Sequence, residues 1–239
     1  MSTLLLLFVA ELAFLFWIGF RGGRPAFEAA VAVGMALAVW GAVSATMALR
    51  GTYETPGFLA TMPGLWLPAV PFAVVGATLI VPGIRKGLLR IADTTPTHWL
   101  VAVQALRIAA LGTLIKTAQG TFPLEVELAI GVTDLAFGLS GLALFGPSRR
   151  GALSADALAI WHLSGMAIIL LPGMVAIQSG LPGPWRVFHN APTSEVMLDW
   201  PMVMAPSLVV PCFLLLNLLG AVAAFRHGRI AAPIEGRPE

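Results

Sequence analysis

Long apolar runs, broken at intervals by Gly, Pro and charged residues, organise this chain. A helix needs about 20 consecutive apolar residues to cross the hydrocarbon core of a bilayer. Read from breaker to breaker, seven stretches reach that length: roughly residues 3–20, 26–49, 64–83, 98–118, 126–146, 156–177 and 202–225. Between them lie "RGGRP", "RGTYETPG", "PGIRKGLLRIADTTPT", "AQGTFP", "GPSRRG" and "QSGLPGPWRVFHNAPTSEVMLDWP", rich in the residues that punctuate helices. The pattern predicts an all-α membrane protein, a seven-transmembrane-helix bundle forming one domain over 1–230, with a tail at 231–239. The first run, "LLLLFVAELAFLFWIGF", has no Lys or Arg before it and has Arg21 and Arg24 after it. It reads as a retained helix and not as a cleaved signal segment.

The charges then orient the spans. Alternate connections carry Arg21 and Arg24, then Arg85, Lys86 and Arg90, then Arg149 and Arg150, and the tail adds Arg226, Arg229 and Arg237. The opposite connections hold Arg50 and Arg186 against Glu54, Glu125, Glu127, Glu195 and Asp199. Lys and Arg favour cytoplasmic loops, so this bias places the N-terminus outside and the C-terminal tail in the cytoplasm. Trp17, Trp66, Trp99, Trp185 and Trp200 fall at or near span ends, as interfacial aromatic residues do. The segment 178–201 is long enough to fold over a cavity; a plain linker is the alternative.

Composition agrees with the pattern. The chain of 239 residues is 58% hydrophobic and 11% charged, with a mean hydropathy of +0.87, whereas a soluble domain carries about 25% charged residues. The net charge of +2 and pI near 9.2 reflect few acids and no clustered basic surface, which argues against nucleic acid as a partner. A single Cys212 excludes an intrachain disulfide and a CxxC metal motif.

Short echoes suggest a duplication. "ELAF" (Glu11 to Phe14) in the first span matches "DLAF" (Asp134 to Phe137) in the fifth, and "AVPF" (Ala69 to Phe72) echoes "VVPCF" (Val209 to Phe213). In this topology spans 1–3 and 5–7 would form a 3+1+3 parallel repeat, a plan known among small carriers. Chance recurrence in an Ala- and Leu-rich chain is the competing explanation.

Three ionisable groups sit deep in the spans. Glu11 lies ten residues before Arg21, about 15 Å along a helix; Arg107 lies nine after His98, and Asp134 nine after Glu125. A charge at such depth costs about 2.5–3.5 kcal/mol even on the lenient insertion scale, so these groups should face the bundle interior and compensate one another. Arg107 with Asp134 is the favoured pair, because spans four and five are joined by a short turn. Gly131, Asp134, Gly138 and Gly141 share one face of span five. On span four, Gln104, Arg107 and Leu111 are expected on one face and Ala105, Ala109, Gly112 and Lys116 on the other. Lys116 reads as a snorkelling interfacial residue.

His162 is the one histidine within a span, and Asn217 and Ser207 are polar positions on the last. Glu11, Gln104, Arg107, Asp134, His162 and Asn217 together form the expected lining of a solute or ion pathway. Pro68, Pro71, Pro172, Pro206 and Pro211 each free a carbonyl one turn earlier; such carbonyls can bind cations or substrates where they line a cavity, or simply mark packing kinks. One buried His cannot supply two axial haem ligands. No Gly-rich phosphate loop, HExxH, GxSxG or seventh-helix lysine for retinal is present. His189, Glu195 and Asp199 in the outer segment could meet a metal or simply be solvated. No cofactor, metal or catalytic residue is expected, and an intramembrane enzyme ranks third among the readings, because no nucleophile, paired base or cofactor motif is evident.

The stretch "QALRIAALGTLIKTAQGTFPLEVELAIGVTDLAFGLSGL", with Gln104-x-x-Arg107, Gly112 and Gly131-x-x-Asp134-x-x-x-Gly138, resembles a group of bacterial integral membrane proteins without assigned activity. The resemblance covers spans four to seven, including "PSLVVPCFLLLNLL". It implies a multi-pass protein of the bacterial inner membrane and lends no substrate. The leading expectation is a small carrier or channel-like transporter of a small solute, ion or proton. The alternative is a non-catalytic subunit or sensor, meeting a partner subunit or its own copies, in which the Arg–Asp pair only holds helices together.

Overall fold

In the computed structural model, which describes residues 3–231, each apolar run folds as a helix, and no strand is present among the described residues. The spans are α1 (Thr3–Arg21), α2 (Arg24–Leu49), α3 (Pro63–Ile80), then, after an additional helix α4 (Pro82–Thr94), α5 (Thr97–Ala118), α6 (Leu124–Arg149), α7 (Ala155–Gly180) and α8 (Ala205–Gly228). Seven of these eight are long and apolar enough to cross a membrane. The last helix runs on to Ala231. The rest of the expected 231–239 tail lies outside the described residues.

Local chemistry sets the helix starts. Pro63 and Pro82 stand in the first turns of α3 and α4, where a missing N–H costs nothing. Ser154 caps α7 by accepting from the Ala157 N–H at 3.1 Å. The free N–H of Gly64 at the start of α3 is taken by Gln178 Oε1 of α7, at 3.0 Å.

Helix α4 corrects the expectation that "PGIRKGLLRIADTTPT" is a loop. Pro82 opens the helix instead of breaking one, and span three ends at Ile80. Leu88, Ile91 and Ala92 recur at helical spacing and are buried against α2 and α8. Arg85, Lys86 and Arg90 point outward. Its end is fastened to α8: Arg226 pairs with the Asp93 carboxylate through Nε and Nη2, and His227 Nε2 lies 3.0 Å from the Asp93 carbonyl.

Helix α8 is the hub. Of its apolar window 78% is buried, against 28–39% for the other spans, and it touches α1, α2, α3, α4, α5 and α7. A helix that is apolar on all sides belongs at the centre of a bundle. Pro211 has no N–H to give to Ser207 O, one turn earlier. Trp40 Nε1 donates to that carbonyl instead, at 3.1 Å. This proline therefore serves packing and leaves no open carbonyl at Ser207.

Three spans depart from α geometry. α5 tightens to a 3₁₀ helix over Gln104–Ala110, α6 contains a π-helical turn at Glu127–Gly131, and α8 opens with another at Ala205–Val209. All three stretches contribute to the walls of one cavity.

Candidate functional site: a buried ionic layer and its cavity

A 3₁₀ helix stacks residues three apart, so Gln104, Arg107 and Ala110 align on α5. Leu111 falls off that face and is 46% exposed, contrary to the expected grouping of Leu111 with Gln104 and Arg107. The tighter period ends the face at Ala110.

Arg107 sits among four helices, its side chain 0% exposed. Nη1 and Nη2 both donate to the Gly165 carbonyl of α7, each at 3.1 Å. Nη1 also lies 3.2 Å from Asp134 Oδ1 of α6. The ring centres of Phe137 and Phe213 lie 4.7 and 5.1 Å from the guanidinium carbon, a cation–π sandwich. Two glycines make this possible. A Cβ on Gly138 would stand 2.8 Å from Ile108 N and 3.1 Å from Arg107 C, so only glycine lets α6 approach α5 closely enough to set Asp134 beside Arg107. A Cβ on Gly165 would run into the Phe137 ring.

Glu11 of α1 is fully buried, and neither carboxyl oxygen has a hydrogen-bond partner. It lies within electrostatic reach of Arg107 and Asp134. Glu127 is a departure from expectation. The sequence pattern puts it in an outer connection, yet it occupies the π-helical turn of α6, 1% exposed, with Thr113 as the one polar side chain beside its carboxyl. Its carboxylate folds over Gly131 and lies within reach of Asp134. The spacing Glu127, Gly131, Asp134, Gly138 already puts it on the Asp134 face; counting it as a loop acid hid that signal.

One turn from the ion pair, on the side of the Arg-rich connections, a polar chain crosses the bundle. His162 Nδ1 of α7 is 3.0 Å from Asn217 Oδ1 of α8, and Asn217 Nδ2 donates to Gln104 Oε1 of α5, also at 3.0 Å. Asn217 Nδ2 further donates to Phe213 O at 3.1 Å. A carboxamide oxygen only accepts, so this network assigns the proton to His162 Nδ1. His162 Nε2 and Gln104 Nε2 remain without partners.

A cavity of about 390 Å³ meets the ionic layer from the other side. Thr3, Lys116, Phe122 and Pro201 stand toward its mouth, where α1 and α6 begin and α5 ends. Leu7, Val126, Ile130, Val210 and Phe213 form apolar walls, and Arg107 with Asp134 closes the deep end. The segment 178–201 contributes Met197 and Pro201. Lys116 Nζ lies 3.6 Å from Met202 Sδ. The Ala109, Gly112 and Lys116 positions, expected opposite Arg107, line the same cavity, because the change of helical period rotates them toward it.

The six side chains singled out from the sequence thus fall into two adjoining groups: Glu11, Arg107 and Asp134, and Gln104, His162 and Asn217. Outside them, Glu195 pairs with Arg186 at 3.8 Å. Among the described residues, no three His, Cys, Asp or Glu side chains are grouped to hold a metal ion. The chemistry on offer is charge compensation, proton exchange and hydrogen bonding at membrane depth. Comparison with known protein families, curated proteins and solved structures found no match.

Proposed function

We propose that this protein is a small membrane carrier in which the cavity receives a solute and the Arg107–Asp134 pair forms its polar floor, with Glu11 buried within reach of both. The observation that carries the reading is a cavity of about 390 Å³ ending on a buried ion pair. Ligand sites commonly occupy about 300–1,000 Å³ with a few convergent polar groups, and ionisable residues inside membrane spans are costly enough to mark pathways. The asymmetry supports transport by alternating access: one half is hollow, while the His162–Asn217–Gln104 chain ties three helices together in the other. The 3₁₀ and π-helical turns around the cavity are places where helices can bend with little loss of hydrogen bonding. On the loop charges, the mouth faces outward across a bacterial inner membrane and the Arg-rich connections face the cytoplasm. The parallel 3+1+3 repeat fits this reading and is not needed for it.

A second reading has its own support. The guanidinium of Arg107 is wholly enclosed, both Nη atoms are engaged by Gly165 O, Nη1 also meets Asp134, and two rings lie beside it, while Nε has no partner; such enclosure suits a residue that holds helices in place. Both readings are separated by uptake into proteoliposomes from a pool of amines, carboxylates and sugars. The wild type is expected to accumulate at least one solute. Val210→Trp, which fills the cavity, should abolish that flux, and Ile160→Trp on the exposed surface should keep it. Equal retention by wild type, Val210→Trp and protein-free vesicles for every solute would overturn the carrier.

A further inference from the structure

We infer that the cavity selects an organic cation: a small molecule with an ammonium head, which meets Asp134, and an apolar body, which meets the walls. The inference rests on the cavity being a solute site and adds the chemical class.

Accessibility decides the sign of the ligand. Both Arg107 and Asp134 stand at the deep end, but the arginine side chain is 0% exposed and the aspartate 12%. Asp134 Oδ1 is buried against the guanidinium. Oδ2 is not among the buried unpartnered atoms, and no side chain or backbone N–H among the described residues donates to it, so it is the accessible oxygen of the pair. A ligand reaching the floor therefore meets a bare acceptor and not the guanidinium. Carboxylate oxygens only accept, so the complementary group is a donor, and an ammonium gives the stronger, charge-assisted bond.

The surrounding charges point the same way. Glu11 is buried with both oxygens unpartnered, Glu127 has only Thr113 beside its carboxyl, and each acid lies within reach of Asp134. Glu11 and Asp134 lie within reach of the guanidinium, and Glu127 lies within reach of Asp134. Among the described residues the other cation lining the cavity is Lys116, which is exposed at its rim. An ammonium brings donors to this acid-rich layer, and a carboxylate ligand brings none. A bare metal ion fits poorly, because no three ligating side chains converge among the described residues. The apolar walls of Leu7, Ile130, Val210 and Phe213 suit an alkyl or aromatic body, and Phe213 offers a ring face to an ammonium as well.

The test is direct binding to the full-length protein in lipid nanodiscs, with n-hexylammonium as probe and hexanoate as its charge-reversed match. Hexylammonium is expected to bind saturably and hexanoate at least tenfold more weakly. Asp134→Asn should weaken hexylammonium roughly 10- to 100-fold, as expected for losing a hydrogen bond to a charged group. Because Asp134→Asn also touches the ion pair, Ile130→Trp is measured beside it; it narrows the cavity without altering a charge and should reduce binding of the same probe. Hexanoate binding as tightly as hexylammonium, or hexylammonium binding no better than to empty nanodiscs, would overturn the inference. Hexylammonium bound but never taken up by proteoliposomes would remove the carrier reading and leave the cation site standing. Uptake of a carboxylate or sugar without amine binding would do the reverse.

Discussion

Arg107→Leu tests the central claim, that one guanidinium holds the ionic layer together. The substitution removes two bonds to Gly165 O, the contact with Asp134 at 3.2 Å and both cation–π contacts. It leaves Asp134 buried beside Glu11 and Glu127 with no positive charge at that level. Deleting one partner of a buried pair costs about 3–5 kcal/mol. The reference state adds to this: separated helices that still span the bilayer expose Arg107 to lipid at about 2.5–3.5 kcal/mol, a cost the leucine variant escapes when unfolded. A loss of at least about 3–5 kcal/mol is therefore expected, which is at least a roughly 10²- to 10⁴-fold drop in the folding constant. Asp134→Leu alone should cost less, since Glu11 remains within reach of the guanidinium. The double variant should cost less than the sum of the two by at least about 1.5 kcal/mol, because contacting residues couple. Arg107→Lys keeps the charge but loses the planar fork between two rings, and should fall between wild type and leucine. The assay is equilibrium unfolding by SDS in bicelles, followed through the fluorescence of the seven tryptophans. An Arg107→Leu protein within about 0.5 kcal/mol of wild type, the scatter of an ordinary surface change, or additive single and double costs, would refute the reasoning.

Other expectations follow from the same contacts. Asn217→Leu should cost about 2–4 kcal/mol by stranding His162 Nδ1 and Gln104 Oε1, and Gln104→Leu on top of it should recover part of the loss; the same unfolding assay decides. Gly138→Ala should destabilise by about 1–3 kcal/mol, because its new Cβ meets backbone at 2.8 Å, whereas Gly112→Ala, with open space around it, should be silent. Tyr53 is the single tyrosine, buried and bonded to Ser44 Oγ at 2.9 Å, and burial pushes its phenol above the usual value of 10.0. Absorbance at 295 nm should show a midpoint above 10.0 in the folded protein. The folded state holds this proton more tightly, so stability is full below the unfolded phenol's pKa and falls as pH rises toward the folded value; a midpoint at or below 10.0 would contradict the burial.

Much of the framework was legible in one dimension. Each of the seven apolar runs became a helix within a few residues of the expected ends, since about 20 apolar residues admit few other structures in lipid. The Arg107–Asp134 contact was also readable: a short connection forces α5 and α6 together, and a deep guanidinium needs a neighbouring acid. Glu127 was misread because its neighbours, Pro123 and Glu125, look like a connection. Helix α4 was misread because Pro82–Gly83 signals a break at either end of a helix, and only the buried Leu88–Ile91–Ala92 face shows which.

What the sequence determined by itself is therefore what local rules govern: how many spans there are, which residues are too polar for lipid, and which of them lie at matched depths. Tertiary structure decided the rest. It placed α8 at the hub, it switched α5 to a 3₁₀ period so that Gln104 and Arg107 align while Leu111 turns out, and it opened a cavity on one side of the ionic layer. It also enclosed the arginine of the ion pair fully while leaving its aspartate partner partly exposed. Those outcomes depend on how whole helix surfaces fit, including where glycines allow backbones to meet, and no short window of sequence contains both sides of such a contact.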